Sequence, residues 1–425
     1  MSLRGLNTLV LLCAATICAE SLAITKQPEG WANVNIVAAT SDVVVCAIHV
    51  STAQDELFAL DTLGKKVLWR KKGYAVTRGE TDGRGNFLVV EPAEKLLSRK
   101  LKNGEVNWQS PFPPPRDNEP NSSRHICCKY RGPFVRGQKA FVFRQGRKAP
   151  SADVLFNDWL VFDTADGRLL QHGDSYPLGL AGDLLVVEKD HGSIAAITGS
   201  DFREYPIYRK HAPHASAAHP FDAWPRGGPQ IQYSHEGRCV FRIADSPGPL
   251  YRATIYDSSG RKLTILEPAE DPSLPVDWIL LSDYAIRYSA AGRIAVYDSV
   301  GKRARQYELP PPTDADNDNL LFAGTSGNGS LIFRRRERLL VFDVPSLELT
   351  AQVKRKANAP WGRIFIKRAS DIIYSVEGNT VFENMPAEQV TRKIIVNLTS
   401  LKSGQTLWAH TKEVTIKKQQ TASPP

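Results

Sequence analysis

Beyond its first 25 positions the chain has no apolar run of the ~18 residues that a membrane-spanning helix needs, which excludes a transmembrane segment. Cysteine is scarce, 6 in 425 residues, so no disulfide scaffold holds the fold and it must stand on its core. Helical periodicity is weak throughout. The chemistry-bearing signatures are missing as well. There is no Ser-His-Asp nucleophile elbow, no phosphate loop, no His-Glu-x-x-His zinc motif and no Cys-x-x-Cys-His haem site. No nucleic-acid-binding motif is present either.

The first segment has the parts of a signal peptide. Arg4 supplies the positive end, Leu9 to Ala15 form a short apolar stretch, and Ser21 and Ala23 occupy the −3 and −1 places of a cleavage site, with Ala19 offering a second. Residues 1–23 are therefore expected to be removed, and the mature chain to be periplasmic or secreted. Leu12 and Ile17 precede Cys13 and Cys18, where a lipidated cysteine follows a small residue, so no lipid anchor is expected. Export leaves Cys46, Cys127, Cys128 and Cys239 in an oxidising compartment, and four cysteines allow three pairings. The formal net charge is +9, with basic runs at Arg334–Arg336 and Lys354–Lys356. They read as solvated surface, or as attraction to an anionic partner such as an acidic protein or lipid head groups. Export disfavours nucleic acid as that partner.

Self-similarity is the main positive signal. One phrase recurs: a short apolar strand, an Asp, a tight turn with Gly, then a second strand. It occurs as Leu57-Phe58-Ala59-Leu60-Asp61 with Gly64 and Trp69, as Leu160 to Asp163 with Gly167, and as Thr254 to Asp257 with Gly260. Ile294 to Asp298 with Gly301, and Leu339 to Asp343, repeat it. Weaker copies without the Asp run from Leu97 to Trp108, Ile194 to Tyr205 and Ile394 to Trp408. Another apolar strand lies upstream of most units, among them Val43 to Val50, Phe87 to Val90, Ala140 to Phe143, Ile279 to Leu281 and Ile372 to Val376.

Each residue type has a physical role. β-Branched and aromatic residues suit strands buried between neighbouring sheets. Asp at a strand end bonds the backbone two residues on and starts the turn. Gly takes the positive φ that a tight hairpin demands. A late Trp fills the wedge between sheets while its N–H reaches a polar partner. Two strands per hairpin and two upstream make four. The expectation is an all-β protein: a β-propeller of four-stranded antiparallel blades, eight of them, or seven if the Ile194–Tyr205 copy is a false match or the end units merge. Radial closure is how such a set avoids exposed edges. Residues 24–411 form the single propeller domain in this reading, and 412–425 a disordered tail.

Ala59, Asp61, Lys66 and Trp69, with Gly64 one place early, resemble the repeat of the quinoprotein-like propellers, the PQQ-type repeat. Gly104 with Trp108 and Gly404 with Trp408 match its second half. The resemblance covers residues ~35 to 411 and implies fold rather than activity. The superfamily holds quinone-dependent alcohol and sugar dehydrogenases and also non-catalytic envelope propellers. The first branch implies PQQ and calcium, with Cys127 and Cys128 as a vicinal disulfide against the cofactor. The alternative for that pair is two cysteines adjacent by chance. The matched acidic and amide positions that hold calcium in those dehydrogenases have no counterpart in the sequence.

Two further clusters stand out. His211, His214 and His219 with Asp222 could ligate zinc or copper, or form a solvated loop among Pro213, Pro220 and Pro225. Asp314, Asp316 and Asp318 open like a calcium loop, but Asn319 and Thr325 replace the Gly and Glu it needs, so they read as an acidic turn. Asn121, Asn328 and Asn397 head glycosylation sequons, which matter only in a host that glycosylates exported proteins. Insertions rich in Pro, Gly and polar residues interrupt the repeat at Pro111 to Ser123, Gln145 to Asp158, Tyr208 to Gln232 and Glu267 to Asp277. Loops this long in a compact domain are functional or disordered. The expected role is a non-enzymatic exported propeller, monomeric and without cofactor, that binds another extracytoplasmic protein as a scaffold, envelope-assembly or inhibitor module. The alternatives are a PQQ- and calcium-dependent dehydrogenase and a metal-binding protein.

Overall fold

The computed structural model describes Gly30 to Lys418 apart from a set of connecting segments, of which 115–125, 209–229 and 267–275 are the longest. These residues form thirty-three strands and, among them, no helix. The strands assemble into eight antiparallel sheets, numbered here in chain order. Seven have four strands each, and sheet 1 has a fifth. All eight units read in the sequence appear as the third and fourth strands of a sheet, from Glu56–Asp61 with Lys66–Lys72 in sheet 1 to Gln389–Ser400 with Thr406–Lys417 in sheet 8.

The first strands of neighbouring sheets touch. Gly30–Ala39 meets Gly79–Thr81, which meets Ile126–Arg136; Tyr176–Ala181 meets Gln230–Gln232, which meets Val276–Leu280. Leu321–Thr325 meets Arg363–Ile366, and that strand returns to Gly30–Ala39. These are the innermost strands of a closed ring, and the fold is a β-propeller.

In sheets 1, 2, 3, 4 and 7 the second and third strands have buried side chains along most of their described length, which is why they read as near-continuous apolar runs rather than alternating ones. In sheet 1, Val44, Cys46, Ile48, Phe58 and Leu60 pack toward sheet 8, while Val45, Ala47, Leu57 and Ala59 pack toward Phe87, Val89 and Leu97 of sheet 2. Each such Leu, Val or Phe contributes about 1.5–3 kcal/mol by leaving water. Cys46 has a free thiol that burial pushes well above its usual range, so it serves as a small apolar side chain. Its free state removes every disulfide pattern that uses all four of Cys46, Cys127, Cys128 and Cys239.

The turn between third and fourth strands is built as the sequence suggests. Asp61 Oδ1 accepts from the N–H groups of Leu63 at 3.0 Å and Gly64 at 2.7 Å, and Asp163 Oδ1 accepts from Ala165 at 2.8 Å. The fifth turn position is left-handed in every turn where it is described with a positive φ: Gly104 at 70°, Gly167 at 78° and Gly404 at 68°, but also Lys65 at 53°, Phe202 at 58° and Leu347 at 57°. The early Gly64 is thus no substitute for the missing glycine, because Lys65 holds the strained place. Trp69 reaches into sheet 2, donates to Leu101 O at 2.8 Å, and lies so close to Gly104 that an added Cβ would sit 2.8 Å from its ring. Trp108 repeats the arrangement against sheet 3, donating to Thr164 O at 3.1 Å and covering Gly167.

Closure joins sheets 1 and 8. Val34, Phe58 and Leu60 share a core with Tyr374, Val376, Ile394, Val396, Leu398 and Ile416. The Tyr374 hydroxyl, which burial pushes up to about 12, donates to Thr40 O of sheet 1 at 3.0 Å. Lys412 of the last strand is ion-paired with Glu56 and lies over the Phe58 ring. Thr380–Phe382, from the segment between the second and third strands of sheet 8, pairs antiparallel with Gly30–Ala32 and is the fifth strand of sheet 1.

Three boundaries differ from the sequence reading. Thr406–Lys417 stays paired to its end, with Val414 and Ile416 buried and Glu413, Thr415 and Lys417 exposed, so 412–417 belong to the propeller rather than to a tail. In sheet 6, Ile279 falls in the first strand, Val276–Leu280, and the second is Ala285–Ser289, whose half-buried Arg287 and Tyr288 hide it. The insertions shrink at their edges, because Gln145–Arg147 and Leu155–Asp158 are strand.

Two outcomes follow for stability. Gly104→Ala is expected to cost about 1–3 kcal/mol in urea unfolding, from Trp69 and from the left-handed backbone, whereas Lys65→Gly gains about 1 kcal/mol. His410 is held below its ordinary value by burial and then by the Arg70 and Lys412 cations. The unfolded chain takes up that proton near pH ~6.5, so stability falls as the pH drops below it. His410→Asn is expected to flatten this slope in unfolding curves taken between about pH 7 and 5.

Candidate functional face

Every sheet runs first to fourth strand in order, so its connections divide between two sides. Turns from first to second and from third to fourth strand lie on one side, where none is longer than 233–238. On that side the two turns of sheets 1, 2 and 3 are bonded to each other: Thr62 N–H donates to Asp42 O at 2.8 Å, Leu101 to Gly85 O at 2.9 Å and Thr164 to Gln138 O at 2.9 Å. Connections from second to third strand, and from one sheet to the next, lie on the other side. All four insertions read in the sequence leave and return there, as does the segment carrying Thr380–Phe382.

The sequence-predicted residues fall as follows. His211, His214, His219 and Asp222 lie outside the described residues, between Tyr208 and Gln230, which place both ends of their segment on the loop-bearing side. Asp314, Asp316, Asp318, Asn121 and Asn328 also lie outside the described residues. Cys127 and Cys128 are within the strand Ile126–Arg136, at its loop-side end, where a register irregularity falls opposite Gln145–Arg147. Asn397 is buried in sheet 8 with its amide donating to Glu377 Oε1 at 2.5 Å, so this sequon is closed to a glycosyl group in the folded chain. Among the described residues no group of three His, Cys, Asp or Glu side chains is placed to hold a metal ion.

One polar cluster was missed in the sequence. On the face of sheet 3 that meets sheet 2, above Ala140, Val142, Leu160 and Phe162, the next residues toward the loops are Arg144 and Asp158. Arg144 is fully buried. Its Nε donates to Asp158 Oδ1 at 2.9 Å, its Nη2 to Asp158 Oδ2, and its Nη1 to Pro113 O at 3.0 Å. His172 Nε2 lies 3.0 Å from Asp158 Oδ2. The cluster pins the start of 115–125 through Pro113 and closes the mouth of 148–154. The signal was there in the two-residue alternation: Arg144 follows Ala140 and Val142 at an inward place, and Asp158 faces it. With both carboxylate oxygens engaged, Asp158 serves to hold Arg144 and His172 in place at the base of the loops.

No family model matches the chain, and no curated protein matches it. Among solved structures it is similar to BamB from Moraxella catarrhalis, at 12% identity over 80% of this chain and 90% of that one, with a TM-score of 0.43. It is also similar to the dihydro-heme d1 dehydrogenase NirN in complex with DHE (11% identity, 92% and 74% covered, TM-score 0.48). A third is the C-terminal WD40 domain of Sif2 (10% identity, 82% and 94% covered, TM-score 0.47). These likenesses concern fold alone.

Asp158→Ala leaves a buried guanidinium uncompensated and is expected to cost about 3–5 kcal/mol in urea unfolding, whereas the double change Arg144→Met with Asp158→Leu recovers most of it.

Proposed function

We propose that this chain is an exported, non-enzymatic propeller that binds another protein through its loop-bearing side. One observation carries the reading: the long connections all emerge on one side of the ring, whereas the other side has only short links between strands, bonded to each other in sheets 1, 2 and 3. A rigid ring supporting variable loops is a common design for recognition. The buried Arg144–Asp158–His172 cluster supports it by fixing two loop bases on a rigid sheet. Envelope assembly and inhibition of a secreted enzyme are both versions of this role.

A second reading, a quinone- and calcium-dependent dehydrogenase, draws on the place of Cys127 and Cys128 in an innermost strand. The described residues do not fit it, since no carboxylates gather there to hold calcium. It predicts a raised melting temperature with quinone and calcium, and dye-linked oxidation of alcohols or sugars.

The binding role is tested by affinity capture from extracytoplasmic extracts, using the full chain and variants with 115–125 or 209–229 replaced by a short Gly-Ser linker. A discrete protein retained by the full chain and reduced tenfold or more by a shortened variant, with thermal unfolding unchanged, is expected. Capture indifferent to both replacements, or no discrete partner at all, refutes the reading.

A further inference from the structure

Five large apolar side chains are exposed among the described residues, and four lie in or just after the turn between the third and fourth strands of a sheet. Leu63 (79% exposed), Val106 (44%), Leu169 (37%) and Leu407 (47%) all belong to, or directly follow, the turn between third and fourth strands, in sheets 1, 2, 3 and 8. Val106 and Leu169 come two residues after the left-handed Gly104 and Gly167, Leu407 three after Gly404, and Leu63 two before Lys65. Because sheet 8 adjoins sheet 1, these sheets are consecutive round the ring. The turns between third and fourth strands are related by rotation about the propeller axis, so the four side chains, at different positions in or beside those turns, lie along one arc on the side away from the long loops.

Each tip has exposed cations beside it: Lys65 and Lys66 near Leu63, Lys102 near Val106, Arg168 next to Leu169 and Lys402 near Leu407. The neighbouring carboxylates are directed into their own turns, Asp61, Asp163 and Asp166 accepting backbone N–H groups, and Glu105 lies 3.8 Å from Lys100. At the turns of sheets 8, 1 and 2 cations outnumber carboxylates, whereas in sheet 3 Asp163 and Asp166 outnumber Arg168; apolar side chains flanked by a cationic excess at three turns of the four complement a surface that is apolar beneath and negative above. A protein partner favours a contiguous central cluster. Tips carried on four separate sheets, one to each, suit a deformable sheet of lipid instead.

We propose that the turn-bearing side of sheets 8, 1, 2 and 3 rests on an anionic lipid surface, with Leu63, Val106, Leu169 and Leu407 inserted among the head groups. This contact is independent of protein binding at the opposite side, which it leaves facing away from the membrane.

The test is cosedimentation of the full chain with vesicles of phosphatidylcholine alone or with about 30% phosphatidylglycerol, at low and high salt. The chain is expected to partition onto the anionic vesicles at least tenfold better than onto neutral ones, and to be released by salt. Combining Leu63→Ser, Val106→Ser, Leu169→Ser and Leu407→Ser should reduce that partition tenfold or more. These side chains are exposed, so an unchanged melting curve verifies that the variant is folded. Leu321→Ser, at an exposed position on the loop-bearing side, should bind as the parent does. So should the chain with 209–229 replaced, which separates this contact from the protein-binding reading. No binding to anionic vesicles, or binding indifferent to the four changes, overturns the proposal. So does loss of self-association in sedimentation without any lipid binding, which would make the arc a contact between copies of the chain.

Discussion

The sheets of this ring whose side chains are described bury apolar residues on both faces, and each face needs a neighbour. No sheet can be stable at an end, so the ring has to close, and the rest of the structure follows from that demand. Sheets 1 and 8 meet it with more devices than the other seams whose side chains are described. Where sheet 1 meets sheet 2, and sheet 2 meets sheet 3, one tryptophan laid over a left-handed glycine supplements the apolar core. Where sheet 8 meets sheet 1, the joint adds a tyrosine hydroxyl bond, the Lys412–Glu56 pair beside Phe58 and an extra strand borrowed across the seam. A seam between the first and last parts of a chain has no covalent connection across it, so its noncovalent contacts must supply all the cohesion.

Closure also sorts the connections. The antiparallel order of four strands sends alternate links to opposite sides of the ring. On one side the links stay short, and in sheets 1, 2 and 3 they bond each other. On the other they are free to lengthen, and there the sequence spends its insertions. The buried charges of sheet 3 belong to this division. A guanidinium with every near neighbour satisfied contributes little net stability against an apolar replacement, but it fixes geometry, and the geometry it fixes is the base of two loops.

The propeller was legible because its signals are local and repeated. A third strand, a tight turn and a fourth strand recur eight times, with Asp opening five of the turns and a left-handed residue closing the six in which that place is described, so each copy reinforces the others. What escaped was of two kinds. Some features carry too few residues to form a pattern: Thr380–Phe382 is a strand only because Gly30–Ala32 offers an edge. Others set a polar residue where periodicity expects an apolar one. Arg287 and Tyr288 obscured a strand, and Arg144 and Asp158 passed as the rim of an insertion. The candidate site fared worse than the fold for the same reason. Cys127 and Cys128 were visible as an oddity of sequence, but only the ring placed them on an innermost strand. The glycosylation motif at Asn397 was visible too, and burial against Glu377 closes it.

The seam has a consequence in time. The four consecutive strands of sheet 1 are complete as soon as Lys72 has been made, yet the residues that cover their apolar face toward sheet 8 arrive with Tyr374 and end with Ile416. At about 10 residues per second, a newly made chain carries Phe58 and Leu60 uncovered for roughly half a minute. Through that interval the protein is a set of finished parts without an enclosure, and whatever escorts it must shield one face of the first sheet until the last strand is delivered.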